Sequence, residues 1–214
     1  MTPDIADLRR DYTLQFLLEK DLASTPISQF TKWWGDVLKS EIVEPNAMTL
    51  ATASSDGLPY ARIVLLKGFD ENGFVFYTNY TSYKALQMEE NPKACLVFFW
   101  KEIERQVRVV GLVSKIPIKD SDEYFATRPV GSQIGAWASP QSQVIESRDW
   151  LDKRNAVLTN EMKNSKIDRP PHWGGYIVKP VIVEFWQGRS SRLHDRLQYT
   201  LNENGDWKIE RLAP

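Results

Sequence analysis

The sequence predicts an antiparallel β-barrel with peripheral helices, folded as one domain. Six or seven short apolar runs are joined largely by hairpin signals such as Ser55-Asp56-Gly57, and helical patterns are inserted between them. No break in composition and no repeat of fixed period separates the halves. A doubly wound nucleotide fold is disfavoured, because no strand leads through a GxGxxG loop into a helix and GxxxxGK[ST] does not occur. A bound nucleotide would therefore need side chains to hold its phosphate.

Composition indicates a globular protein with a balanced charge. The chain has 214 residues, a net charge of −1, and 8 Trp, 8 Tyr and 9 Phe, which need a core or a ligand to cover them. A neutral balance disfavours a general polyanion binder, so no nucleic-acid partner is expected.

Cysteine and histidine are too scarce for several kinds of site. One cysteine excludes an intramolecular disulfide and a CxxC zinc site, and two histidines exclude a His-rich metal site. The charged N-terminus does not resemble a signal peptide, and the longest apolar stretch, 94–100, is far below the roughly 20 residues that span a bilayer. We expect a cytoplasmic protein without a metal or a membrane partner.

The elements of the first half follow from periodicity. Residues 1–25 are polar, with a short helical signal, and we interpret them as a partly flexible segment that precedes a single domain over 26–214. Apolar residues recur at helical spacing between Ser28 and Val43, which predicts an amphipathic helix over these residues. Strands are then predicted at 47–53, 59–67 and 74–78, and a helix at 81–90 with Thr81 or Ser82 near its N-cap.

The second half continues the pattern. Its strands are predicted at 94–100, 106–116, 175–187 and 196–201, and 207–212 closes the chain. A short helix is predicted at 119–127, ending before Arg128-Pro129. A long charged helix is predicted at 143–166.

Two stretches could bind an anion, although each has an ordinary structural interpretation. Arg62 and Lys67 bracket an apolar strand, either as solvated tips or as an anion site. Strict alternation puts them on opposite faces, so one ligand could meet both only if the strand bends or two subunits contribute. Thr81 to Lys84 open a helix whose N–H groups suit a phosphate, or form a plain cap.

Two further clusters carry polar chemistry. Tyr124 and Arg128, at i and i+4 on a helix, could hold a phosphate monoester with Ser132, or form a surface stack. The segment 186–196 is a local basic patch, in which Arg192, His194 and Arg196 would share one strand face near Trp186. That patch suits a flat anionic ligand. Cys95 and His172 are interpreted as packing residues.

Taken in order along the chain, these motifs resemble the pyridoxine 5′-phosphate oxidase family. The resemblance runs from about residue 8 to the C-terminus. It is carried by RIVLLK (62–67), FYTN (76–79), RQV (105–107), YFATRP (124–129), SQIGAW (132–137), EFWQG (184–188), RLHDR (192–196) and RLAP (211–214). It implies an FMN-binding split β-barrel and a homodimer with two FMN sites at the subunit interface.

The resemblance also implies which residues bind FMN. Arg62 and Lys84 would hold its phosphate, and a longer set would complete the pocket. That set is Ile63, Val64, Leu65, Leu66, Lys67, Tyr77, Thr78, Gln106, Gln141, Ser142, Trp186 and Arg196. One departure concerns Tyr83, since the family usually has arginine there, in contact with the FMN phosphate. A phenol donates a hydrogen bond but carries no charge.

The substrate residues are implied in the same way. Lys67, Tyr124, Arg128 and Ser132 would hold the substrate phosphate. Arg192 and His194 would face the pyridine ring as the catalytic pair, and the segment Arg9 to Tyr12 would close over it as a lid.

The implied reaction oxidises pyridoxine 5′-phosphate or pyridoxamine 5′-phosphate to pyridoxal 5′-phosphate. A hydride passes from C4′ to flavin N5, O₂ is reduced to H₂O₂, and the amine substrate also releases NH₃. Two alternatives remain at this point: another flavin-dependent oxidoreductase on the same barrel, or a non-catalytic protein that binds FMN or pyridoxal phosphate. Turnover of pyridoxine 5′-phosphate would discriminate between them.

Overall fold

The computed structural model describes residues 4–7, 11–163 and 165–214, and this part of the chain contains five α-helices and nine strands. The helices are α1 (Pro26–Leu38), α2 (Tyr83–Glu90), α3 (Ile118–Thr127), α4 (Val130–Ala138) and α5 (Arg148–Glu161). The strands are β1 (Ala47–Ala53), β2 (Pro59–Leu65), β3 (Gly68–Asp70), β4 (Gly73–Asn79), β5 (Lys93–Trp100), β6 (Arg105–Lys115), β7 (Trp173–Gln187), β8 (Asp195–Leu201) and β9 (Trp207–Leu212).

The strands are hydrogen-bonded in the order β2-β1-β5-β6-β7-β4-β3, and β8 pairs with both β7 and β9. Strand β7 is the longest, and it changes partner along its length. Its first part pairs antiparallel with β4, from Trp173 to Val178, and its second part pairs antiparallel with β8, from Ile182 to Gln187. Pro180 falls between the two paired segments, where its missing N–H interrupts neither ladder.

The chain divides into two compact units. The first comprises Met1–Leu50, Cys95–Gly111 and Pro180–Pro214, and the second comprises Ala51–Ala94 and Leu112–Lys179. The prediction of one domain over 26–214 stays a prediction. None of the helices in the described ranges combines the length and the apolar character needed to cross a membrane.

Aromatic side chains fill the core of the first unit. The Phe30 ring lies 5.1 Å from that of Phe98, and Trp33 meets Phe185 edge to face at 5.1 Å. Helix α1 supplies two of these rings because its apolar residues recur on one face. Thr25 caps the helix by accepting a hydrogen bond from the Ser28 N–H at 3.1 Å.

The core of the second unit lies beneath β4 and the start of β7. Phe74 and Phe76 are fully buried, and Phe76 stacks on Tyr176 at 5.8 Å. Gly73 is required here, because its φ is +137° and an added Cβ would lie 2.2 Å from the Val178 carbonyl oxygen. This close approach fits the β4–β7 pairing, and that pairing positions the site residues at the end of β4.

The strand predictions are confirmed to within two residues at their ends, although the short strand β3 was not predicted, whereas two helix predictions need correction and one helix was missed. Helix α1 ends at Leu38 instead of Val43, and α5 spans Arg148–Glu161 instead of 143–166. The later start of α5 follows from Ser147, whose hydroxyl caps it by accepting from the Trp150 N–H at 3.1 Å. Helix α4 was not predicted, because its two glycines are poor helix formers.

The predicted strand face of Arg192, His194 and Arg196 is wrong. Residues Ser190–Arg192 form a 3₁₀ turn, and β8 begins only at Asp195. Arg192 has a left-handed backbone, with φ +60°. Period-two alternation therefore does not relate these three side chains. Arg192 lies in the turn, His194 lies between the turn and β8, and only Arg196 lies on β8.

Candidate active site

A cavity of about 840 Å³ lies in the second unit. Most of its wall comes from β2, the end of β4, and helices α3 and α4. The lining residues are Arg62, Ile63, Val64, Leu65, Lys67, Tyr77, Thr78, Asn79, Lys84, Tyr124, Arg128, Pro129, Ser132, Gly135, Ala136, Ser139, Gln141 and Trp173. Four of these side chains are cationic and none is a carboxylate, so the cavity favours an anionic ligand.

Arg62 and Lys67 both line this cavity, although strict alternation predicted opposite faces. Strand β2 ends at Leu65, so the period of two does not extend to Lys67. The Lys67 N–H donates to the Val75 carbonyl oxygen at 2.8 Å, where the chain turns into the β3–β4 hairpin. The end of the strand thus lets one subunit present both cations to one cavity.

Neighbouring polar side chains orient the Arg62 guanidinium. Its Nη1 donates to Thr52 Oγ1 at 2.7 Å, and its Nη2 lies 3.4 Å from Gln87 Oε1. The Thr52 hydroxyl in turn donates to the same Gln87 oxygen at 2.6 Å. Burial lowers the pKa of Arg62, because the pocket partly withdraws the guanidinium from water.

Lys84 is a buried cation, with a relative exposure of 8%. Its Nζ donates to Thr78 Oγ1 at 3.2 Å and to Ser82 Oγ at 3.3 Å. Burial, and secondarily the positive charge of Arg62, lower its pKa to about 8. The two cations repel each other in the absence of an anion, and a bound phosphate would relieve that repulsion.

Gln141 ties the loop after α4 to the end of β4. Its Oε1 accepts hydrogen bonds from the Thr78 hydroxyl at 3.1 Å and from the Asn79 N–H at 3.3 Å. Ser142, the next residue, has a left-handed backbone with φ +71°, and its side chain is exposed. Lys84, Thr78 and Gln141 thus form one hydrogen-bonded row along the wall.

Three aromatic rings are stacked at the other side of the lining. Tyr77 lies 3.9 Å from Tyr124 and 5.3 Å from Trp173, with interplanar angles of 14° and 9°. Burial, and then the neighbouring Tyr124, raise the pKa of Tyr77 to about 12. The phenol can act as a hydrogen-bond donor to a ligand.

Arg128 packs on this stack and lacks a partner for one of its donors. Its Cζ lies 4.5 Å from the centre of the Trp173 ring, within cation–π distance. Its Nη1 is buried and has no hydrogen-bond partner in the part of the chain that the structure describes. Arg128 is the C-cap of α3 with an extended backbone, so it is not on the helix as predicted, yet it lines the cavity with Tyr124 and Ser132. An unpaired guanidinium donor beside a hydroxyl suits a phosphate.

A second cluster of predicted site residues lies in the first unit. The Trp186 and His194 rings are 4.6 Å apart, and the Tyr12 ring lies 5.8 Å from Trp186 and 6.0 Å from His194. His194 Nδ1 accepts a hydrogen bond from the Arg189 N–H at 3.0 Å. Burial, and then the charge of Arg192, lower the pKa of His194. The neutral ring therefore carries its proton on Nε2.

A buried carboxylate holds Arg196. Glu184 is 3% exposed, and its oxygens accept from Arg196 Nε at 2.8 Å and Nη2 at 3.2 Å, and also from Arg108. The Arg196 Nη1 donates to the Ala213 carbonyl oxygen at 2.7 Å. Arg196 is thus fixed by β7 on one side and by the C-terminal end of the chain on the other.

The remaining predicted residues lie away from the cavity lining or outside the described ranges. Leu66 is buried in the core, and the Tyr83 side chain is 63% exposed and does not line the cavity. Gln106 is half-buried on β6 in the first unit, and Arg192 is exposed. Arg9 lies outside the described residues.

The sequence reasoning missed six lining residues: Asn79, Pro129, Gly135, Ala136, Ser139 and Trp173. Several belong to α4 or its ends, and they were missed because that helix was not predicted. Trp173 has a signal that could have been used, since a large aromatic beside Gly174-Gly175 marks a strand that approaches other groups closely. Within the described ranges, no group of three or more His, Cys, Asp or Glu side chains could hold a metal ion.

Two family models match most of the chain. The model described as pyridoxamine 5′-phosphate oxidase matches residues 35–158. The model described as the pyridoxine 5′-phosphate oxidase C-terminal dimerisation region matches residues 173–214.

Curated relatives match over their whole length. A pyridoxine/pyridoxamine 5′-phosphate oxidase of Nostoc punctiforme is 55% identical over 214 residues, covering 100% of both chains. The protein of the same name from Cupriavidus metallidurans is 52% identical over 210 residues, covering 98% of this chain and 99% of the relative.

Solved structures confirm the predicted fold class. PhzG of Burkholderia lata, solved with tetrahydrophenazine-1-carboxylic acid, has a TM-score of 0.88 and 31% identity, covering 94% of this chain and 99% of its own. A pyridoxamine 5′-phosphate oxidase-related, FMN-binding protein of Nostoc punctiforme has a TM-score of 0.71 and 19% identity, covering 90% of this chain and 100% of its own. The fold is the mainly antiparallel split β-barrel with peripheral helices. Together with the matching family models and relatives, these findings show that the chain belongs to the pyridoxine/pyridoxamine 5′-phosphate oxidase family.

Proposed function

We propose that this protein oxidises pyridoxine 5′-phosphate and pyridoxamine 5′-phosphate to pyridoxal 5′-phosphate, with FMN as cofactor and O₂ as final acceptor. The products would include H₂O₂, and NH₃ from the amine substrate. The names of relatives that are 52–55% identical over nearly the whole chain support this reaction. The match of residues 173–214 to a dimerisation region supports a homodimer. We place two FMN sites at its interface, as the family resemblance implies.

The cationic cavity carries the proposal. Its described lining holds Arg62, Lys67, Lys84 and Arg128 and no carboxylate, so it suits two phosphate-bearing molecules better than a neutral ligand. Arg62 and Lys84 are close enough for the charge of one to lower the pKa of the other. Arg128 is packed on Trp173, and one of its buried donors has no partner among the described residues. The pair Arg62 and Lys84, and Arg128 beside Trp173, can therefore each bind an anion.

We assign Arg62 and Lys84 to the FMN phosphate. Their donors are oriented by Thr52 and Thr78, so little side-chain entropy remains to be lost on binding. Residues 63–65 and Lys67 line the same cavity and would run along the flavin, together with Tyr77 and Thr78. When bound, the flavin supplies hydride acceptance and reoxidation by O₂.

We assign Arg128, Tyr124, Ser132 and Lys67 to the substrate phosphate. The planar guanidinium can donate twice to one phosphate, and packing on Trp173 holds its plane. A grip remote from the reacting carbon supplies binding energy that orients the substrate.

His194 is proposed to orient the pyridine ring instead of acting as a base. Because the Arg189 N–H donates to Nδ1, the neutral imidazole carries its proton on Nε2 and can only donate there. Arg192 would supply positive charge near the ring, and Arg196 would supply it near the cofactor. Tyr12 contacts His194 and would cover the ring.

An oxidase with another substrate is the alternative that PhzG suggests. The compound in its solved structure is a carboxylic acid without a phosphate, and PhzG is 31% identical to this chain. A relative that is 55% identical to this chain is instead named pyridoxine/pyridoxamine 5′-phosphate oxidase. The set Tyr124, Arg128 and Ser132 on one cavity wall favours a phosphate monoester.

The test of the proposed function is an anaerobic spectrum of the protein with FMN. Addition of pyridoxine 5′-phosphate should bleach the flavin band, and air should restore it with formation of pyridoxal 5′-phosphate. A bound flavin that does not bleach would overturn the oxidase assignment in favour of another flavin-dependent oxidoreductase or a non-catalytic binding protein. Failure to bind flavin would overturn the cofactor assignment.

Replacing Tyr83 with arginine is expected to tighten FMN binding by about tenfold or more. A charged hydrogen bond contributes roughly 1.5–3 kcal/mol, and the wild-type phenol brings no charge to this position. The Tyr83 side chain is largely exposed and does not line the cavity, but it precedes the lining residue Lys84, so the longer arginine is expected to reach the phosphate without disturbing the core. Fluorescence titration of the apoprotein with FMN measures the effect, and Tyr83→Phe is the control for the hydroxyl. An unchanged dissociation constant would show that position 83 does not limit affinity.

FMN affinity is expected to fall as the pH rises above 8. The pKa of Lys84 in the unliganded protein is about 8, so its ammonium is progressively lost above that pH, while an anion favours the charged form. By linkage, the dissociation constant should rise about fivefold between pH 8 and pH 9. Lys84→Arg, which stays charged, should flatten the profile, and riboflavin, which lacks the phosphate, should not show it. A flat wild-type profile for FMN would refute the role of Lys84.

A further inference from the structure

The segment that carries Tyr12 is held against the end of β7 by several separate contacts. We call residues 12–17 the N-terminal strap. Tyr12 packs against Trp186 and His194. Farther along, Gln15 is hydrogen-bonded to Arg105, and the Leu17 N–H donates to Asp195 Oδ2 at 3.1 Å. Different groups therefore hold the two ends of the strap.

Glu104 is the group that holds the strap next to Tyr12. Its Oε2 accepts hydrogen bonds from the Thr13 N–H at 2.9 Å and from the Leu14 N–H at 3.0 Å. The residue is 2% exposed, so its carboxylate is removed from water and must be satisfied by the protein. A charged acceptor with two backbone donors is a strong contact.

The backbone of Glu104 is strained in a way that its side chain explains. It follows the 3₁₀ turn Lys101–Ile103 with φ +57° and ψ +38°, a left-handed conformation in which glycine is comfortable and glutamate is not. Its carbonyl oxygen accepts from the Gly188 N–H at 2.8 Å and from Gln187 Nε2 at 3.2 Å. Glu104 thus links the strap to the strand end beside Trp186.

Gly188 shows how closely Tyr12 is seated. A Cβ at this position would lie 2.7 Å from Tyr12 Cγ and 2.8 Å from Tyr12 Cβ. The Tyr12 ring therefore rests on bare backbone, with little room to shift. Such a fit depends on the position of the strap backbone, which Glu104 sets at the following two residues.

We propose that Glu104 is a positioning residue for the substrate site: its carboxylate fixes the Tyr12 end of the strap so that Tyr12 closes over the pyridine ring beside His194. The proposal rests on the substrate role that the proposed function gives to Tyr12 and His194. Because Gln15 and Leu17 have their own partners, loss of the carboxylate releases residues 12–14 and leaves the rest of the strap attached.

Three variants of the full-length, FMN-loaded protein separate positioning from general stability. Glu104→Gly removes the carboxylate and relieves the left-handed backbone, so the relief of strain should offset part of the stability lost with the contact. Glu104→Gln keeps one side-chain oxygen. Because a single oxygen accepts the hydrogen bonds from both amides in the wild type, this variant should retain the contact. Glu44→Gly is the matched control, because Glu44 is also a left-handed glutamate, with φ +51° and an exposed side chain.

Amide hydrogen exchange and steady-state kinetics give the readouts. We expect the Thr13 and Leu14 amides to exchange roughly tenfold faster in Glu104→Gly, while the Leu17 amide is unchanged. The KM for pyridoxine 5′-phosphate should rise by about tenfold with kcat little changed, because the strap contributes binding and not chemistry. Glu104→Gln and Glu44→Gly should match the wild type in both readouts.

Several results would overturn the proposal. Unchanged exchange at Thr13 and Leu14 in Glu104→Gly would show that the carboxylate does not hold the strap. A lower melting temperature with an unchanged KM would show a purely structural role. Unprotected amides in an active wild-type enzyme would refute the role of Glu104 alone. Protected amides in a wild type that does not oxidise pyridoxine 5′-phosphate would refute the proposed function, and with it the substrate role of Tyr12.

Discussion

Replacing Arg128 with alanine is expected to lower kcat/KM for pyridoxine 5′-phosphate by about 100-fold or more while FMN is retained. The guanidinium would donate two charged hydrogen bonds to the substrate phosphate, each contributing roughly 1.5–3 kcal/mol, and each 1.4 kcal/mol is a factor of about ten. Its buried Nη1 has no partner in the described part of the chain, so the donor is available to a ligand. Arg128→Lys should recover only part of the loss, since lysine keeps the charge but not the planar fork over Trp173.

Unphosphorylated pyridoxine separates a phosphate contact from a general defect. If Arg128 binds the phosphate, wild type and Arg128→Ala should oxidise pyridoxine at similar, low efficiency, and they should differ only with the phosphorylated substrate. Arg148→Ala is the matched control, because Arg148 is an exposed arginine on α5 paired with Asp152. Equal losses with both substrates would rule out the phosphate contact.

Replacing Glu184 with alanine is expected to lower the free energy of unfolding by about 3 kcal/mol. Removing one member of a buried ion pair typically costs about 3–5 kcal/mol, and the lower end applies because Arg108 and Arg196 are partly exposed and can be hydrated. For a chain of this size the melting temperature should fall by about 6–12 °C. Calorimetry or thermal denaturation measures the shift, and alanine at the exposed Glu203 is the control.

The contribution of Glu184 should also depend on pH. Burial by itself would raise the pKa of this carboxyl, but the hydrogen bond from Arg196 and the charge of Arg108 lower it on balance below the usual value of a glutamate. A group whose pKa is lower in the folded state stabilises the fold above its unfolded pKa and loses that contribution as the pH falls through the folded value. The difference in stability between wild type and Glu184→Gln should therefore be level from pH 7 to about 5 and shrink below about 4.5. A difference that grows on acidification would contradict this assignment.

Most of the strands could be predicted from the sequence, because alternation within a strand is local. The prediction of 47–53 agrees with β1, and 94–100 differs from β5 by a single residue. The Asp-Gly turn between β1 and β2 was also predicted correctly. Gly57 adopts φ +86° there, a conformation that glycine favours. Helix ends were predicted less well, because α5 begins at a capping serine inside a polar stretch.

The candidate site shows where local reasoning ends. Alternation predicted opposite faces for Arg62 and Lys67, yet both line one cavity because β2 ends between them. Arg192 was expected on a strand face and lies in a left-handed turn, which no period of two describes. Trp173, far along the chain from Tyr77, was missed although the two rings stack at 5.3 Å.

The sequence by itself determined the class of the fold, the strands, the family resemblance and the cationic residue types that an anion site requires. These properties depend on side-chain type and on spacing over a few residues. Only the tertiary structure decided which cations share a cavity, which donor of Arg128 has no partner within the described ranges, and how Glu104 reaches the backbone of Thr13. Those outcomes depend on where strands end, on backbone turns at left-handed residues, and on contacts between distant residues such as Thr13 and Glu104, which are 91 positions apart.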